Sequence, residues 1–209
     1  EVVVLERNRP DDTFGFGVVF SDKTIGEVEE ADPQTYQAIT DHFIHWDDID
    51  VHYGGEIVRS TGHGFSGLSR QTLLSVLQEQ ALALGIDIRF ESEFSGLGPQ
   101  QSVKCITRDG KTEPVSLDPE DYDLVIGADG VNSTLRNDWA EHFQPTFDWR
   151  PNRFVWLGTT KPHAAFTFDF AENAHGIWVL GAYQYNDDLS TWIIEAPEPT
   201  WTNAKDEVE

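Results

Sequence analysis

The sequence predicts an α/β fold followed by an antiparallel sheet, and three observations lead to this prediction. Short apolar segments alternate with amphipathic helical segments over residues 1–150. One of them, the continuous apolar segment at 124–128, runs into an Asp-Gly turn and is short enough for a strand covered on both faces. Beyond residue 150, segments rich in aromatic and β-branched residues follow one another with short polar turns, which indicates antiparallel strands. We therefore expect two domains, at 1–150 and 151–209.

The chain opens with an apolar strand, Val-Val-Val-Leu at 2–5, that ends at the acid Glu6. In dinucleotide-binding folds a carboxylate in this place accepts hydrogen bonds from ribose hydroxyls, so Glu6 is a candidate for that role. The alternative is that Glu6 only ends an ordinary strand. The first strand, glycine loop and helix that should precede this strand are not found, and the glycines at 62, 64 and 67 follow no suitable strand. We therefore expect an incomplete cofactor domain.

Two phenylalanines, Phe14 and Phe16, alternate with glycines in an early loop. Glycine allows tight bends, so the two aromatic rings can line an apolar wall. Packing of the loop against the rest of the protein is an equally good interpretation. The pair is therefore a candidate binding surface with an open alternative.

Local signals predict the helices and the hairpin that follow this loop. Ser21 or Asp22 caps one helix, and Asp32 with the proline after it starts another. Segment 49–59 is typical of a hairpin that turns at a Gly-Gly pair. A longer helix with an apolar stripe begins at Arg70. A cation at the start of a helix opposes the helix dipole, which suggests that Arg70 has a role elsewhere.

A group of acids and histidines at 41–48 resembles a metal site in composition. His42 and His45 are three residues apart and would share a helix face. Their spacing does not bring a third and a fourth ligand into place. We therefore predict a solvated helix end and no metal site.

The turn at Asp129 and Gly130 follows the apolar segment directly. Glycine lets the backbone approach a ligand closely, and Asn132 or Ser133 can cap the helix that begins next. The first N–H groups of that helix would then face an anion such as a diphosphate. The alternative is a plain tight turn, which is the commonest use of an Asp-Gly pair. A ligand is therefore expected beside Asp129 and Gly130.

Acidic residues dominate the charge of the chain, with 37 Asp and Glu against 14 Lys and Arg and a formal net charge of -23. This charge excludes general affinity for nucleic acid or an anionic membrane surface, because no basic run neutralises phosphates. Self-repulsion predicts a fold that needs salt, as in a halophile. Every apolar run is shorter than the roughly 20 residues of a membrane helix, so a cytoplasmic location is expected.

The string Asp-Gly-Val-Asn-Ser-Thr-Leu-Arg at 129–136 resembles the second fingerprint of the single-component, flavin-dependent aromatic hydroxylases related to p-hydroxybenzoate hydroxylase. The segments at 6–10, 13–22 and 150–158 are similar to the monooxygenase part of salicyloyl-CoA 5-hydroxylases and anthraniloyl-CoA monooxygenases. This resemblance implies a glutathione-reductase-type FAD-binding domain over 1–150, without its first strand, glycine loop and helix. It also implies that 151–209 is the start of a truncated substrate-binding antiparallel sheet.

The activity implied by the resemblance is hydroxylation of an aromatic substrate, with an aromatic acyl-CoA as the expected form. FAD would be the cofactor, NAD(P)H the co-substrate and O2 the oxidant, with oxygen transferred from a flavin C4a-hydroperoxide. Few side chains need to act as acids or bases in such chemistry, so no catalytic residue is named. The substrate, the choice between NADH and NADPH, the oligomeric state and a further flavin domain similar to old yellow enzyme are left open.

The resemblance also assigns roles to particular residues. Those expected to contact the cofactor are Glu6, Arg7, Arg70, Asp129, Gly130 and Arg136. Phe14 and Phe16 are expected near the substrate. If the substrate is an acyl-CoA, its phosphates need cations on this acidic chain, and Arg150, Arg153 and Lys161 are the candidate local cluster.

Two alternatives compete with this interpretation. One is another FAD-dependent oxidoreductase on the same scaffold, such as a halogenase or a prenyl-lipid reductase. A halogenase would usually carry a Trp-x-Trp-x-Ile string, which does not occur in this sequence. The other is a catalytically silent fragment that cannot retain flavin.

Overall fold

The structure is a computed structural model, and it describes residues 1–97, 103–107, 115–117 and 122–205. Its helices in the described residues are α1 (Asp22–Ala31), α2 (Pro33–Thr40), α3 (Arg70–Ala83), α4 (Thr134–Asp138), α5 (Ala140–Phe143) and α6 (Glu198–Lys205). Its strands are β1 (Val3–Leu5), β2 (Gly17–Ser21), β3 (Ile44–Trp46), β4 (Ile49–Tyr53), β5 (Glu56–Ser60), β6 (Phe65–Ser69), β7 (Asp87–Arg89), β8 (Ser92–Leu97), β9 (Val103–Thr107), β10 (Val115–Leu117), β11 (Asn152–Thr159), β12 (Phe166–Asn173), β13 (Gly176–Gln184) and β14 (Ser190–Pro197). None of the helices described here is long and apolar enough to cross a membrane.

The chain divides into two compact units. Unit 1 contains Glu1–Asp12 and Ala81–Trp149, and unit 2 contains Thr13–Gln80 and Arg150–Glu209. The second junction lies between Trp149 and Arg150, one residue before the boundary expected between 150 and 151. The division differs from the predicted one because residues 13–80 lie with the C-terminal strands.

Unit 1 contains the strand predicted to open the chain. β1 pairs with β7 in parallel, with Val4 opposite Ile88. Parallel neighbours need a crossover connection, and α3 lies between the two strands in the sequence. β8, β9 and β10 form a separate antiparallel sheet in the same unit. Unit 1 therefore contains the parallel strand pair of an α/β fold.

The segment at 124–128 does not form a strand, which corrects the prediction of a buried one. Leu124 is 73% exposed, Val125 51% and Ile126 77%. A strand buried on both faces needs hydrogen-bonded neighbours and cover on each side. Among the described strands, none pairs with this segment. The apolar run therefore remains outside regular secondary structure and largely in solvent.

The predicted helices of unit 2 cover one of its two sheets. Ser21 caps α1 by accepting a hydrogen bond from the N–H of Thr24, and Asp32 caps α2. The sheet beneath has the order β2-β6-β3. Side chains from these helices and strands form one buried apolar cluster, built around Ile25, Ile39, Leu68 and Val76. The caps expected from the sequence are thus confirmed.

The second sheet of unit 2 has six strands in the order β11-β14-β13-β12-β4-β5. Its four C-terminal strands are antiparallel neighbours, as predicted. The predicted hairpin of β4 and β5 joins them, because β4 pairs with β12 in parallel with Ile49 opposite Phe166. This pairing explains why residues 13–80 belong to unit 2.

Three glycines at 62, 64 and 67 have the spacing of a dinucleotide fingerprint without its structure. Gly67 lies inside β6, where a Cβ atom would come within 2.6 Å of the carbonyl oxygen of Gln184 and 2.9 Å of the Trp46 ring. A phosphate-binding glycine must leave its backbone open to the ligand. Gly67 is therefore required for packing inside unit 2.

Candidate functional site

In unit 1, the carboxylate of Asp129 closes the start of helix α4. One oxygen accepts a hydrogen bond from the Ser133 hydroxyl, and the other accepts from the N–H groups of Thr134 at 2.6 Å and Leu135 at 3.1 Å. The Ser133 hydroxyl in turn accepts from the N–H of Arg136 at 2.9 Å. These N–H groups are therefore bonded within the protein, two of them to its own carboxylate, which corrects the expectation that they are free to face a ligand anion such as a diphosphate.

The same contacts lower the pKa of Asp129 below its ordinary value. Burial raises the pKa of this carboxyl, but the hydrogen bonds from Ser133, Leu135 and Thr134 outweigh it. Asp129 therefore remains a carboxylate at neutral pH. Its observed role is to fix the backbone that follows Gly130.

The two glycines around this turn differ in what surrounds them. A Cβ atom on Gly127 would lie 2.5 Å from the Leu135 side chain, so the close approach at this position is made by the protein itself. Gly130 has a φ of +88°, and no atom lies within 4 Å of the position of its missing Cβ. Gly130 thus supplies the left-handed backbone and leaves its surface open to a ligand.

Arg136 and Glu6 each keep part of their hydrogen-bonding capacity. Arg136 donates from Nη2 to the carbonyl oxygen of Val131 at 2.6 Å, and its guanidinium lies 5.1 Å from the Phe147 ring centroid. Its buried Nε has no partner. Glu6 accepts a hydrogen bond from the N–H of Asn8 through Oε1 at 2.7 Å. In the described part of the chain, no hydrogen bond or ion pair connects Glu6 with Arg136.

Arg7 lies next to Glu6, beyond the end of β1, and its side chain is exposed. Strand β1 ends at Leu5, so both charged side chains belong to the loop that follows it. This is the carboxyl end of a parallel strand, where open α/β sheets bind their ligands. The cofactor role of the pair stays a prediction.

In unit 2, the guanidinium of Arg70, at the start of helix α3, lies against two aromatic rings that pack edge to face on each other. Its central carbon is 4.9 Å from the Phe14 ring centroid and 5.5 Å from that of Trp156. The Arg70 backbone N–H donates to the carbonyl oxygen of Phe16 at 2.9 Å. The side-chain Nε of Arg70 is buried without a partner.

Gly15 makes this arrangement possible. It has a φ of +79°, and a Cβ atom there would lie 3.1 Å from Trp156 and 3.3 Å from the side chain of Arg70. The sequence identified Phe14 and Arg70 as candidates but missed Trp156 as their partner. The Trp-Leu-Gly string at 156–158 was the available signal.

A cavity of about 550 Å³ lies beside this cluster within unit 2, lined by Phe16, Gly158, Thr159, Thr160, Tyr185 and Leu189. The ring of Phe16 packs directly on Gly158, where a Cβ atom would come within 2.7 Å of it. Tyr185 packs on Gly17 in the same way, also at 2.7 Å. Phe14 and Phe16 therefore do not form one apolar wall as predicted. Phe14 contacts Arg70, whereas Phe16 lines the cavity.

The three cations proposed for a CoA thioester do not form one cluster. Arg153 pairs with Glu198 at 2.6 Å. Lys161 lies with its Nζ 5.5 Å from the Trp192 ring centroid. Strand β11 separates them, and a strand of this length spans roughly 20 Å or more. Arg150 is exposed just before that strand. Arg150, Arg153 and Lys161 are close in the sequence, but the extended strand β11 carries the chain away from Arg153 before it reaches Lys161. Closeness in the sequence therefore did not predict a cluster in space.

Metal ligation finds no support among the residues that the structure describes, where no group of three or more His, Cys, Asp or Glu side chains could hold an ion. His45 hydrogen-bonds to Ser66 through Nδ1 and to Asp47 through Nε2. His45 lies in strand β3, and helix α2 already ends at Thr40, so His42 and His45 do not share a helix face as predicted.

Proteins of known activity resemble the chain along almost all of its length. It is 44% identical over 204 residues to a salicyloyl-CoA 5-hydroxylase from a Streptomyces species, covering 98% of the chain and 36% of that protein. It is 28% identical over 198 residues to a 3-hydroxy-4-methyl-anthranilyl-(aryl-carrier protein) 5-monooxygenase from Streptosporangium sibiricum, covering 94% of the chain and 50% of that protein. The chain thus spans between a third and a half of the length of these relatives. No protein-family model matches it.

Solved structures share the fold. 2-Methyl-3-hydroxypyridine-5-carboxylic acid oxygenase superposes with a TM-score of 0.72 at 19% identity, over 94% of the chain and 52% of that structure. PqsL, a probable FAD-dependent monooxygenase from Pseudomonas aeruginosa, superposes with a TM-score of 0.67 at 15% identity, over 98% of the chain and 55% of that structure. The chain therefore shares the mixed α/β fold of these two structures. The resemblance to aromatic hydroxylases predicted from the sequence is confirmed.

Proposed function

We propose that this chain, a relative of the aromatic monooxygenases, provides FAD-binding and substrate-binding residues for the hydroxylation of an aromatic acyl thioester. The observation that carries the proposal is the 44% identity to a salicyloyl-CoA 5-hydroxylase over 98% of the chain. The second relative acts on an aromatic acyl group held by a carrier protein, which favours the same substrate class. NAD(P)H as electron donor and O2 as oxidant belong to this proposal.

The residues present fit FAD in two respects. Arg70 and Arg136 each have a buried Nε without a partner, and a guanidinium donor of this kind suits a phosphate or carbonyl oxygen. Gly130 leaves its backbone accessible after the Asp129 turn. When bound, FAD would supply the redox chemistry and the activation of oxygen. Glu6 and Arg7, at the end of β1, would hold its adenosine half.

The parallel pairing of β1 and β7 supports a glutathione-reductase-type cofactor domain in unit 1. The apolar side chains of segment 124–128 are exposed to solvent. This exposure favours the alternative that the chain by itself retains flavin poorly. Flavin binding is therefore to be measured both for this chain and for the complete protein that carries it.

The protein's own residues would hold the substrate and exclude water. An oxygen-transfer site must be shielded, since water reaching it diverts the reaction. The aromatic side chains of Phe14, Trp156 and Phe16 make the walls of unit 2 apolar around the Arg70 cation. Arg70 would orient an acceptor group of the cofactor or substrate against this wall.

Two measurements test the proposed function. The first is titration of the protein with FAD, followed by flavin fluorescence and absorbance. The second is product analysis with salicyloyl-CoA, free salicylate and other aromatic acids and thioesters in the presence of FAD and NAD(P)H. We expect saturable FAD binding and a hydroxylated thioester product. A protein that binds FAD but yields no hydroxylated product from the panel would contradict the proposal and favour another FAD-dependent oxidoreductase.

A further inference from the structure

We propose that His163 is a proton-sensitive positioning residue for one wall of the cavity beside Phe16. Neutral His163 holds the segment 160–165 against strand β14, and protonation of its Nε2 atom releases this segment. Segment 160–165 connects β11 with β12, and its first residue, Thr160, lines the cavity together with Thr159, the last residue of β11. The proposal depends on contacts within unit 2 and not on the identity of a substrate or cofactor.

The first step is the pattern of hydrogen bonds at the imidazole of His163. The indole Nε1 of Trp192, which can only donate, donates to His163 Nε2 at 2.9 Å, so Nε2 carries no proton. The Thr167 hydroxyl donates to the carbonyl oxygen of Ala165 at 3.1 Å and therefore accepts from His163 Nδ1, which lies 3.3 Å away. These bonds fix the neutral imidazole with its proton on Nδ1.

The second step is the effect of one more proton. Because Nδ1 already carries a proton, the next proton enters at Nε2, where it meets the N–H group of Trp192. Two N–H donors cannot share one hydrogen bond, so the imidazolium and the indole must separate. Lys161 adds to this effect, since its Nζ lies 5.5 Å from the Trp192 ring centroid and would repel a charged imidazole. Both contacts of the segment with Trp192 are therefore weakened together.

Other charged groups near His163 are engaged with one another. In the part of the sheet that the structure describes, the titratable and charged side chains around this site are Lys161, His52, Asp169, Asp48, Asp50 and Arg59. Asp169 lies 3.7 Å from Nδ1 of His52, and the Asp50 carboxylate accepts two hydrogen bonds of 2.6 Å from Arg59. Within the described residues, no ion pair joins His163 to a carboxylate that would favour its charged form.

The direction of the pH effect follows from this environment. Burial, together with the charges of Lys161 and His52, lowers the pKa of His163 below its ordinary value of 6.5. The bond from Trp192 is therefore complete above pH 6.5 and is lost as pH falls through the lower folded-state pKa. At neutral pH the segment is held in place.

The third step connects the segment to the cavity. The N–H of Lys161 donates to the Thr159 hydroxyl at 3.1 Å, and Thr159 itself is paired with Ser190 in β14. Thr159 is thus fixed by the sheet, whereas Thr160 and the residues after it depend on the contacts of Lys161 and His163 with Trp192. Release of the segment therefore moves the Thr160 side of the cavity and leaves the β11 side in place.

Titration of the protein by NMR between about pH 7.5 and about pH 4.5 tests the proposal. At neutral pH we expect the imidazole of His163 to show the Nδ1–H tautomer. As pH falls, the indole N–H resonance of Trp192 and the amide of Thr160 should shift with the midpoint of the His163 imidazole. The indole of Trp178, which donates to Asn173 at 3.3 Å, is the internal control and should not follow this midpoint.

Two variants separate the role of the acceptor from that of the proton. In His163→Gln the side-chain carbonyl oxygen can accept from Trp192 but cannot be protonated in this range, so the Trp192 resonance should stay near its neutral position at every pH. In His163→Leu the acceptor is lost, and hydrogen exchange of the Lys161 amide at neutral pH should be about fivefold faster than in the wild type. His42→Leu, at an exposed position, is the matched control and should change neither measurement.

Several results would overturn the proposal. One is a neutral His163 with its proton on Nε2, or a His163 that remains neutral throughout the titration. Another is protonation of His163 without a shift at Trp192 and Thr160. A Trp192 resonance that titrates equally in His163→Gln would assign the effect to His52. Normal Lys161 exchange in His163→Leu would show that the segment does not need His163. FAD binding enters none of these measurements, so their failure leaves the proposed function untouched.

Discussion

The hydroxyl of Tyr183 donates a buried hydrogen bond of 2.9 Å to the carbonyl oxygen of Gly17, which lies 166 residues earlier in the chain. The N–H of the same glycine donates to the Thr191 hydroxyl at 3.0 Å. These two bonds fasten the loop that carries Phe14 and Phe16 to the six-stranded sheet. The position of both candidate aromatic contacts therefore depends on the backbone of one residue, Gly17.

Replacement of Tyr183 by Phe should destabilise the protein. The change leaves the buried carbonyl oxygen of Gly17 without its donor, and an unsatisfied buried acceptor costs about 1–3 kcal/mol. Urea unfolding measures the loss. Tyr53→Phe removes a hydroxyl from a side chain that is 67% exposed and should change the free energy of unfolding by less than about 0.5 kcal/mol. Equal stabilities of the two variants would show that the bond to Gly17 contributes nothing.

Replacement of Asp129 by Asn should weaken the start of helix α4. The carboxylate accepts from Ser133, Thr134 and Leu135, and loss of a helix cap costs about 1 kcal/mol. Asp187→Asn, on an exposed loop, is the control for removal of a negative charge. Chemical unfolding at neutral pH makes the comparison. A larger loss in the control would contradict the capping role.

The same carboxyl predicts a pH dependence. Its folded-state pKa is lowered from 3.8, so its stabilising contribution is fully present above the unfolded-state value and is lost as pH falls through the folded-state value. The difference in unfolding free energy between the wild type and Asp129→Asn should therefore shrink once pH drops below about 4. Unfolding curves between neutral and acid pH measure it. A difference that grows toward acid pH would reverse the sign and contradict the assignment.

Replacement of Arg70 by Gln should weaken FAD binding by about tenfold or more, because a charge-assisted hydrogen bond is lost. Arg70→Lys should not restore binding, since an ammonium lacks the planar group that contacts both Phe14 and Trp156. Arg9→Gln removes a cation from a largely exposed ion pair and controls for net charge. Flavin fluorescence titration gives the affinities. Full binding by Arg70→Gln would exclude Arg70 from the cofactor site.

The protein should become more stable as salt concentration rises. Its net charge of -23 produces self-repulsion, which is screened over about 10 Å at 0.1 M salt and about 3 Å at 1 M. Thermal melting in low and in molar KCl measures the effect, with sorbitol at matched osmolality as the control for a general solute effect. An unchanged melting temperature would rule out self-repulsion as a determinant of stability.

Local features of the fold could be predicted because local chemistry decides them. The caps at Ser21 and Asp32, the Gly-Gly turn at 54–55 and the start of α3 at Arg70 each depend on a few neighbouring residues. Segments rich in aromatic and β-branched residues, separated by short polar turns, likewise identified the strands after residue 150.

Long-range features could not be predicted. The parallel pairing that puts Phe166 opposite Ile49 joins residues more than a hundred positions apart, and no periodicity encodes it. An apolar run such as 124–128 predicts a strand only if another strand pairs with it. The Asp129 carboxylate accepts hydrogen bonds from the first N–H groups of the following helix. Whether it does so depends on side-chain geometry, which an Asp-Gly pair in the sequence does not specify.

The motifs predicted the family better than they predicted the contacts. Arg70 and Gly130 keep features that suit a ligand, namely an unpartnered Nε and an open backbone. Arg153, by contrast, is engaged by Glu198 across the sheet edge. A residue type at the right position in a motif therefore indicates a candidate, and the surrounding side chains decide whether it is available.

The most direct test of the account is isotope incorporation from labelled O2 with the complete protein, FAD, NAD(P)H and salicyloyl-CoA. Flavin-dependent hydroxylation predicts that one labelled oxygen atom enters the aromatic ring of the thioester product, and that none enters when FAD is left out. A protein that holds FAD and oxidises NAD(P)H but leaves the aromatic ring unlabelled would contradict the proposed monooxygenase function.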